Sequence, residues 1–365
     1  MMRRIAAVEA VVYRQAVHHR GATPTLAGVP RRHFDALLVR VEAEGGLVGW
    51  GECFGLYESW PVVREMLRRI VGPSVIGLDA TDPAGSSDAI IRRFHGLGGS
   101  GAFMHAVSGL EVALWDIKGK EAGLPLHSLL GGAGCDTVPA YASLPRYGAP
   151  DAVTRDTEEA LARGFRGIKL HEITAPNIRV AARCMPAEGE LMVDVNCAWS
   201  ADGARAILAE LADVELAWVE EPLHPPDDYE ALAALRRDSG RVIACGENAA
   251  SILDFDRMAQ AVDVVQPSVA KLGGLSAMLR VAEIAKRRGA RFAPHSPYFG
   301  PALLATIHLL AAIAPTTPVE AYFFDLGAGP FGDAVMPQGA RFAVPQGPGL
   351  GCDPDPEVLA RCAVP

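Results

Sequence analysis

The sequence is short of every feature that would take it out of a reducing, aqueous compartment. Its seven cysteines (Cys53, Cys135, Cys184, Cys197, Cys245, Cys352 and Cys362) are odd in number, scattered and never spaced C-x-x-C. That argues against a disulfide framework or a cysteine zinc site and for reduced thiols in a cytoplasm. No apolar run is long enough to span a membrane. The basic start Met1-Met2-Arg3-Arg4 leads into a stretch broken by Glu9, Arg14, Gln15, His18 and His19, not into a signal-peptide core. Basic patches with interleaved aromatics are missing, and 43 acids against 34 bases leave a net charge of −9, so nucleic acid is not an expected partner. No Ser/Gly or Pro tract separates one part of the chain from another, so its parts should pack tightly.

What remains is a globular chain of 365 residues, 50% apolar and 21% charged, with material for a large core and too long for one small domain. Its first part reads as α+β. Strand-like residues 34–44 and 47–52 flank Gly45-Gly46, a hairpin signal. Pro61 opens a helix reaching Ile70, Thr81-Asp82-Pro83 opens another, and apolar residues at helical spacing predict a long helix from Phe103 to Glu121, ended by Gly123.

From Val138 onward the pattern becomes strand, loop, helix, repeated. Candidate strands are 138–142, 167–170, 191–195, 217–219, 242–244, 264–266, 291–293 and 319–323, the eight that a parallel β/α barrel needs. The last stretch, rich in Gly and Pro, is too irregular for a further unit and is expected to wrap back onto the N-terminal part.

Along this half a beat of polar residues recurs at intervals of roughly 20 to 27 residues: Lys169, Asp194, Glu220, Glu247, Ser268, His295 and Glu320. Most close a short apolar run, the position from which barrel strands present catalytic groups to one mouth. Asp194, Glu220 and Glu247 are hard oxygen ligands suited to Mg²⁺. Asn196, two residues after Asp194, points the same way on an extended strand. Lys169 and His171 share a strand face by the same spacing; a lysine there can hold a substrate anion and a neutral imidazole can take a proton. His295 faces the mouth from the opposite wall, and Glu320 closes the series.

In this order and spacing, the chain resembles the enolase superfamily, in its mandelate racemase-like group. The likeness runs through Gly49-Trp50-Gly51-Glu52, Leu124-Pro125-Leu126-His127-Ser128-Leu129-Leu130-Gly131-Gly132, Gly164-Phe165-Arg166-Gly167-Ile168-Lys169, Val193-Asp194-Val195-Asn196, Trp218-Val219-Glu220-Glu221-Pro222, Gly246-Glu247-Asn248 and Lys271-Leu272-Gly273-Gly274. It implies an α+β capping domain over residues 1–125, a modified, TIM-like (β/α) barrel over 126–325 and a C-terminal segment, 326–365, that completes the cap. It implies Mg²⁺ on Asp194, Glu220 and Glu247, and an enediolate formed when a base takes the proton α to a carboxylate. Two positions depart from the group's pattern. His171 stands where a second lysine is common, and Ser268 where an aspartate would pair with the histidine of the next strand, so His295 is expected to lack that carboxylate unless a group not visible in the sequence takes its role. A base without that partner suits a symmetrical racemase less than it suits an acid. The resemblance therefore tilts toward β-elimination of water, with His171 or Lys169 taking the α-proton and His295 protonating the leaving hydroxyl. Racemisation, epimerisation or cycloisomerisation is the alternative. His19 and Arg20 fall in the first capping loop and Tyr57 in the second, where polar and cationic groups suit a hydroxylated acid anion or simply line a solvated loop. With Asn196 and Ser268 they are the expected substrate contacts. The resemblance further implies a small-molecule carboxylate substrate, a sugar acid, and a homo-oligomer, either dimer or octamer.

Overall fold

The computed structural model describes residues 3–364 apart from 19–22, 24, 27–28, 133 and 250; for Leu26, Val29 and Tyr57 only the backbone is described. A four-stranded antiparallel sheet, in the order Asp325–Leu326, Ile5–His18, His33–Ala43 and Leu47–Cys53, forms the N-terminal layer. The hairpin turns at Gly45 and Gly46, both at positive φ, the conformation glycine adopts without steric cost. The sequence reading found this hairpin but missed Ile5–His18, which pairs with His33–Ala43 along almost its whole length. A signal for it exists: Tyr13, Gln15 and Val17 are buried while Arg14, Ala16 and His18 alternate outward, the period of a half-buried strand. The helix expected over 61–70 runs Trp60–Met66 and then widens into a π turn, Leu67–Val71.

The long helix, Gly101–Ala122, ends on Gly123 in the left-handed conformation and lies on the sheet so closely that its backbone meets the Leu47–Cys53 strand. A Cβ on Gly51 would collide with the Gly109 carbonyl, and one on Gly49 with that of Ala113. Glycine in Gly49-Trp50-Gly51 is thus a packing requirement.

The second layer is a curled parallel sheet of eight strands: Thr137–Ser143, Gly167–Leu170, Glu190–Asp194, Trp218–Glu220, Ile243–Cys245, Val264–Val265, Arg291–Phe292 and Val319–Tyr322. Each of the first six pairs with its successor, and the eighth pairs with the first. Between the seventh and eighth no ladder forms among the described residues; instead Ser296 donates its N–H to Glu320 Oε2 (3.0 Å) and its hydroxyl to the Glu320 carbonyl (3.4 Å). The barrel is a (β/α) barrel with one side-chain seam. Alternation sets its interior. Tyr141, Met192, Trp218, Ala244, Val264 and Ala293 form a buried floor, and two residues further along several of these strands come Ser143, Asp194, Glu220 and His295. Gly167 leaves room for Tyr141, since a Cβ there would sit 2.8 Å from the Tyr141 Cβ. No helix among the described residues is long and apolar enough to cross a membrane.

The C-terminal segment ties both layers. Arg341–Ala343 pairs antiparallel with the first barrel strand, Leu326 pairs with Val17, and Leu350 N–H donates to Asp116 Oδ1 (2.8 Å). Two buried glutamates from the N-terminal layer cap barrel helices from outside. Glu111 accepts from Leu275 N (2.7 Å) and Ser276 N (3.0 Å) at the start of Leu275–Arg288, and Glu52 accepts from Ala302 N (3.1 Å) at the start of Pro301–Ile313. Each satisfies donors that a helix start leaves open and sets a carboxylate at the positive end of the helix dipole.

Gly51→Ala should lower unfolding stability by about 1–3 kcal/mol, the usual cost of overpacking; an unchanged thermal midpoint would contradict the close approach. Burial, partly offset by the N–H groups they accept, pushes Glu52 and Glu111 up to about 7. Folding therefore favours their protonated forms. This contribution is full below the unfolded carboxyl pKa of ~4.3 and is lost as pH rises through about 7. The fall of thermal midpoint over that window should flatten in Glu52→Gln and Glu111→Gln.

Candidate active site

The seven-residue beat converges at the carboxyl ends of the barrel strands. Lys169 is buried, and its Nζ donates to Glu320 Oε1 (2.8 Å), Glu220 Oε1 (3.0 Å) and Asp194 Oδ2 (3.4 Å). Ser143 Oγ also donates to Glu320 Oε1 (2.8 Å). With the Ser296 N–H on its other oxygen, Glu320 has both oxygens engaged. Trp218 Nε1 donates to Glu220 Oε2 (3.1 Å). Asp194 Oδ1 accepts from the N–H of Asn196 (2.9 Å), which turns back at φ 46 to leave the strand.

Asp194, Glu220 and Glu247 each offer an oxygen such that all three lie within 4.8 Å of one another, and all three are buried. Their electrostatics fit a cation. Burial works against the Lys169 charge, but the carboxylates of Glu220 and Glu320 more than offset it and hold the ammonium well above its usual range. Lys169 and His171 keep Asp194 below the ordinary carboxylate range despite burial. Glu220, pressed by burial and by the Asp194 charge, is driven well above it although Lys169 is adjacent. One ammonium cannot satisfy three carboxylates, so without further positive charge one acid must keep a proton. A divalent ion held by hard oxygen donors removes that conflict.

Two imidazoles reach the triad from different strands. His171 is buried, its Nδ1 sits 2.6 Å from the Leu144 carbonyl and its Nε2 3.3 Å from Asp194 Oδ2. A carbonyl only accepts, so Nδ1 carries the proton. His295 Nε2 lies 2.7 Å from Glu247 Oε2, while its buried Nδ1 has no partner among the described residues. The carboxylate neighbour that the sequence leaves open for His295 is Glu247, from the fifth strand, which meets its Nε2. His295 in turn draws Glu247 down to about 2 against the effect of burial.

Ser268 is buried and, among the described residues, its hydroxyl bonds not His295 but Tyr298 Oη at 2.5 Å; the Tyr298 ring meets the His295 ring edge-on, centroids 6.1 Å apart. Asn196 Oδ1 accepts from Arg146 Nη2 (3.4 Å). His19 and Arg20 lie outside the described residues, as does the side chain of Tyr57. The sequence reading overlooked Tyr298 and Arg146, which sit off the beat, and Glu221. Glu221 is buried at φ 41 and accepts from Asn248 Nδ2 (2.8 Å), beside Glu247. The repeated Glu220-Glu221 was its available signal.

Residues 8–131 match the mandelate racemase/muconate lactonizing enzyme N-terminal domain, and residues 152–358 the enolase C-terminal domain-like family. The chain belongs to the mandelate racemase/muconate lactonizing enzyme family of the enolase superfamily. A 3,6-anhydro-alpha-L-galactonate cycloisomerase from Streptomyces coelicolor is 31% identical to it over 341 residues, 91% of this chain and 92% of that one. A D-gluconate dehydratase from Thermoproteus tenax is 28% identical over 349 residues, 89% of this chain and 69% of that one. Among solved structures, a racemase from Streptomyces coelicolor with bound magnesium superposes with TM-score 0.86 at 28% identity, covering 99% of this chain and 100% of that one. Relatives within this family thus include both dehydratases and cycloisomerases.

Tyr298→Phe leaves the buried Ser268 hydroxyl without its partner and should cost about 1–3 kcal/mol of stability. Ser268→Ala in the same background should recover part of the loss. Additive losses in a thermal-unfolding cycle would mean that the two hydroxyls do not interact.

Proposed function

We propose that this protein removes the proton α to the carboxylate of a sugar acid and then expels the oxygen on the neighbouring carbon, in a Mg²⁺-dependent dehydration. The observation that carries the reading is the pair of imidazoles whose Nε2 atoms reach two different members of the acidic triad, His171 at Asp194 (3.3 Å) and His295 at Glu247 (2.7 Å). Elimination needs a base at one carbon and an acid at the next, and a centre flanked by two titratable rings offers both.

Held by Asp194, Glu220 and Glu247, Mg²⁺ would supply Lewis-acid stabilisation of the negative charge that develops on the substrate carboxylate. Lys169 adds a fixed ammonium to the same task, kept in place by Glu320. With its Nδ1 proton committed to Leu144, His171 serves as the base through Nε2, and the imidazolium formed when it takes the α-proton lies beside Asp194. His295 protonates the departing oxygen. Asn196 at the rim and Ser268 in the wall bound the rest of the substrate.

The same steps serve a second reading, favoured by the cycloisomerase at 31% identity. If the departing oxygen is a hydroxyl, water leaves. If it closes a ring within the substrate, the ring opens and the product is an isomer. The residues above act alike in both.

A panel of sugar acids and their ring-closed forms, assayed with Mg²⁺ in D₂O by mass spectrometry, separates the cases: a product lighter by one water is dehydration, and one of unchanged composition is ring opening. His171→Ala should lower kcat by about 10²–10⁴ and abolish α-proton exchange. His295→Ala should slow product formation while exchange continues. Turnover that survives complete removal of Mg²⁺ would refute the proposal.

A further inference from the structure

The loop after the first barrel strand, Leu144-Pro145-Arg146-Tyr147-Gly148, is tied down on both sides of its arginine. Leu144 N–H donates to the Lys169 carbonyl (2.8 Å), and the Leu144 carbonyl accepts from His171 Nδ1 (2.6 Å). Beyond the arginine, the buried Glu172 carboxylate accepts from Tyr147 N (2.7 Å) and Gly148 N (3.1 Å). Asn177 Nδ2 donates to the other Glu172 oxygen (2.7 Å). From the N-terminal layer, Thr25 N–H donates to the Arg146 carbonyl (3.2 Å).

Held between these points, the half-buried Arg146 guanidinium reaches across the carboxyl ends of the second and third strands. Its Nε donates to the His171 carbonyl (2.5 Å), and its Nη2 to Asn196 Oδ1 (3.4 Å) and the Val195 carbonyl (3.5 Å). Every one of these partners is a neutral oxygen. Among the described residues no carboxylate pairs with Arg146 and its Nη1 has no partner, in a chain of net charge −9. Arg179, Arg163 and Arg288, by contrast, each sit against an aspartate or glutamate. A guanidinium cannot shed its proton, so this charge stands at the mouth without a carboxylate of its own, its Nε and Nη2 fixed by protein oxygens.

We infer that Arg146 anchors the end of the substrate remote from the triad, and that this end carries a second carboxylate: the substrate class is the sugar diacids, ahead of sugar acids ending in a hydroxyl. The inference rests on the proposed reaction, since that reaction puts the reacting carboxylate at Asp194, Glu220 and Glu247. Arg146 flanks the same Asp194-Val195-Asn196 turn on its rim side. A substrate with its α-carbon before His171 extends its far end past this rim. The free Nη1 offers a carboxylate charge-assisted N–H bonds, roughly twice as strong as those it can give a neutral hydroxyl.

The test compares sugar diacids with the monoacids of matching configuration on the Mg²⁺-loaded protein, by turnover, by α-proton exchange in D₂O and by calorimetric titration. The wild-type protein should favour a diacid over its matched monoacid by about tenfold or more in kcat/KM. Arg146→Met should raise KM and Kd for the diacid at least tenfold more than for the monoacid, and Arg146→Lys should recover part of that loss. A wild-type preference for the monoacid overturns the inference. So does an Arg146→Met variant that weakens both by the same factor, which would make Arg146 a support for His171 alone. Exchange that proceeds with an unchanged diacid-to-monoacid ratio sinks the anchor and leaves the proposed reaction standing; no exchange with any member of either series sinks both.

Discussion

The site is organised around one ammonium shared by three buried carboxylates. Lys169 on the second strand reaches Asp194 on the third, Glu220 on the fourth and Glu320 on the eighth. Glu320 also crosses the seam to Ser296 after the seventh strand. Burying an ion without compensation costs several kcal/mol, so these contacts fix how the strands register at the mouth. The part of the barrel that lacks a backbone ladder is the part bridged by Glu320. Glu221 and Glu247 add two more acids, buried at the triad, which the ammonium does not reach. The excess of negative charge limits what the mouth can hold: a cation at the triad, and an anionic substrate only in the company of that cation.

Much of this was legible in the sequence because strand alternation and metal chemistry impose regular constraints. The floor residue, the ligand two positions later and the helix that follows recur at one spacing, so Met192/Asp194 and Trp218/Glu220 announce themselves. The illegible parts depend on contacts between residues far apart in the chain. Nothing near Glu111 indicates that it caps a helix starting at Leu275, and nothing near Ser268 indicates that Tyr298 takes its hydroxyl. The partner of His295 is hidden for the same reason: the adjacent strand carries Ser268, and the acid that meets the ring is Glu247, one strand further away. Arg146 escaped because it belongs to a loop without a spacing rule, and its meaning comes from carbonyls that only the fold assembles around it.

The two outside caps explain how a site made by one layer can depend on the other. Glu52 and Glu111 each leave the N-terminal layer to satisfy the first turn of a barrel helix, and Asp116 holds Trp50 N–H on one oxygen and Leu350 N–H on the other. All three are buried in the close-packed zone where Gly49 and Gly51 admit the long helix. A donor left unmatched there costs the full desolvation of an N–H, so the layers have little freedom to part. These ties hold the junction and do not extend to the loops above the strand ends.

That division bears on how one set of reacting groups serves related chemistries. Abstraction of an α-proton and expulsion of a β-oxygen make the same demands whether the oxygen leaves as water or as the end of an opened ring: a base, a sink for charge and an acid. Those groups sit on strands whose register is fixed by Lys169 and by the floor. The choice of substrate must then come from what surrounds them. On this chain the surroundings include a histidine whose proton is pinned by the Leu144 carbonyl and an arginine pinned by the same loop to the carbonyl of that histidine. His171 and Arg146 are thus held to each other through Leu144-Pro145-Arg146. If they act as the proposed base and anchor, a change in that loop moves both together and couples substrate choice to the first chemical step.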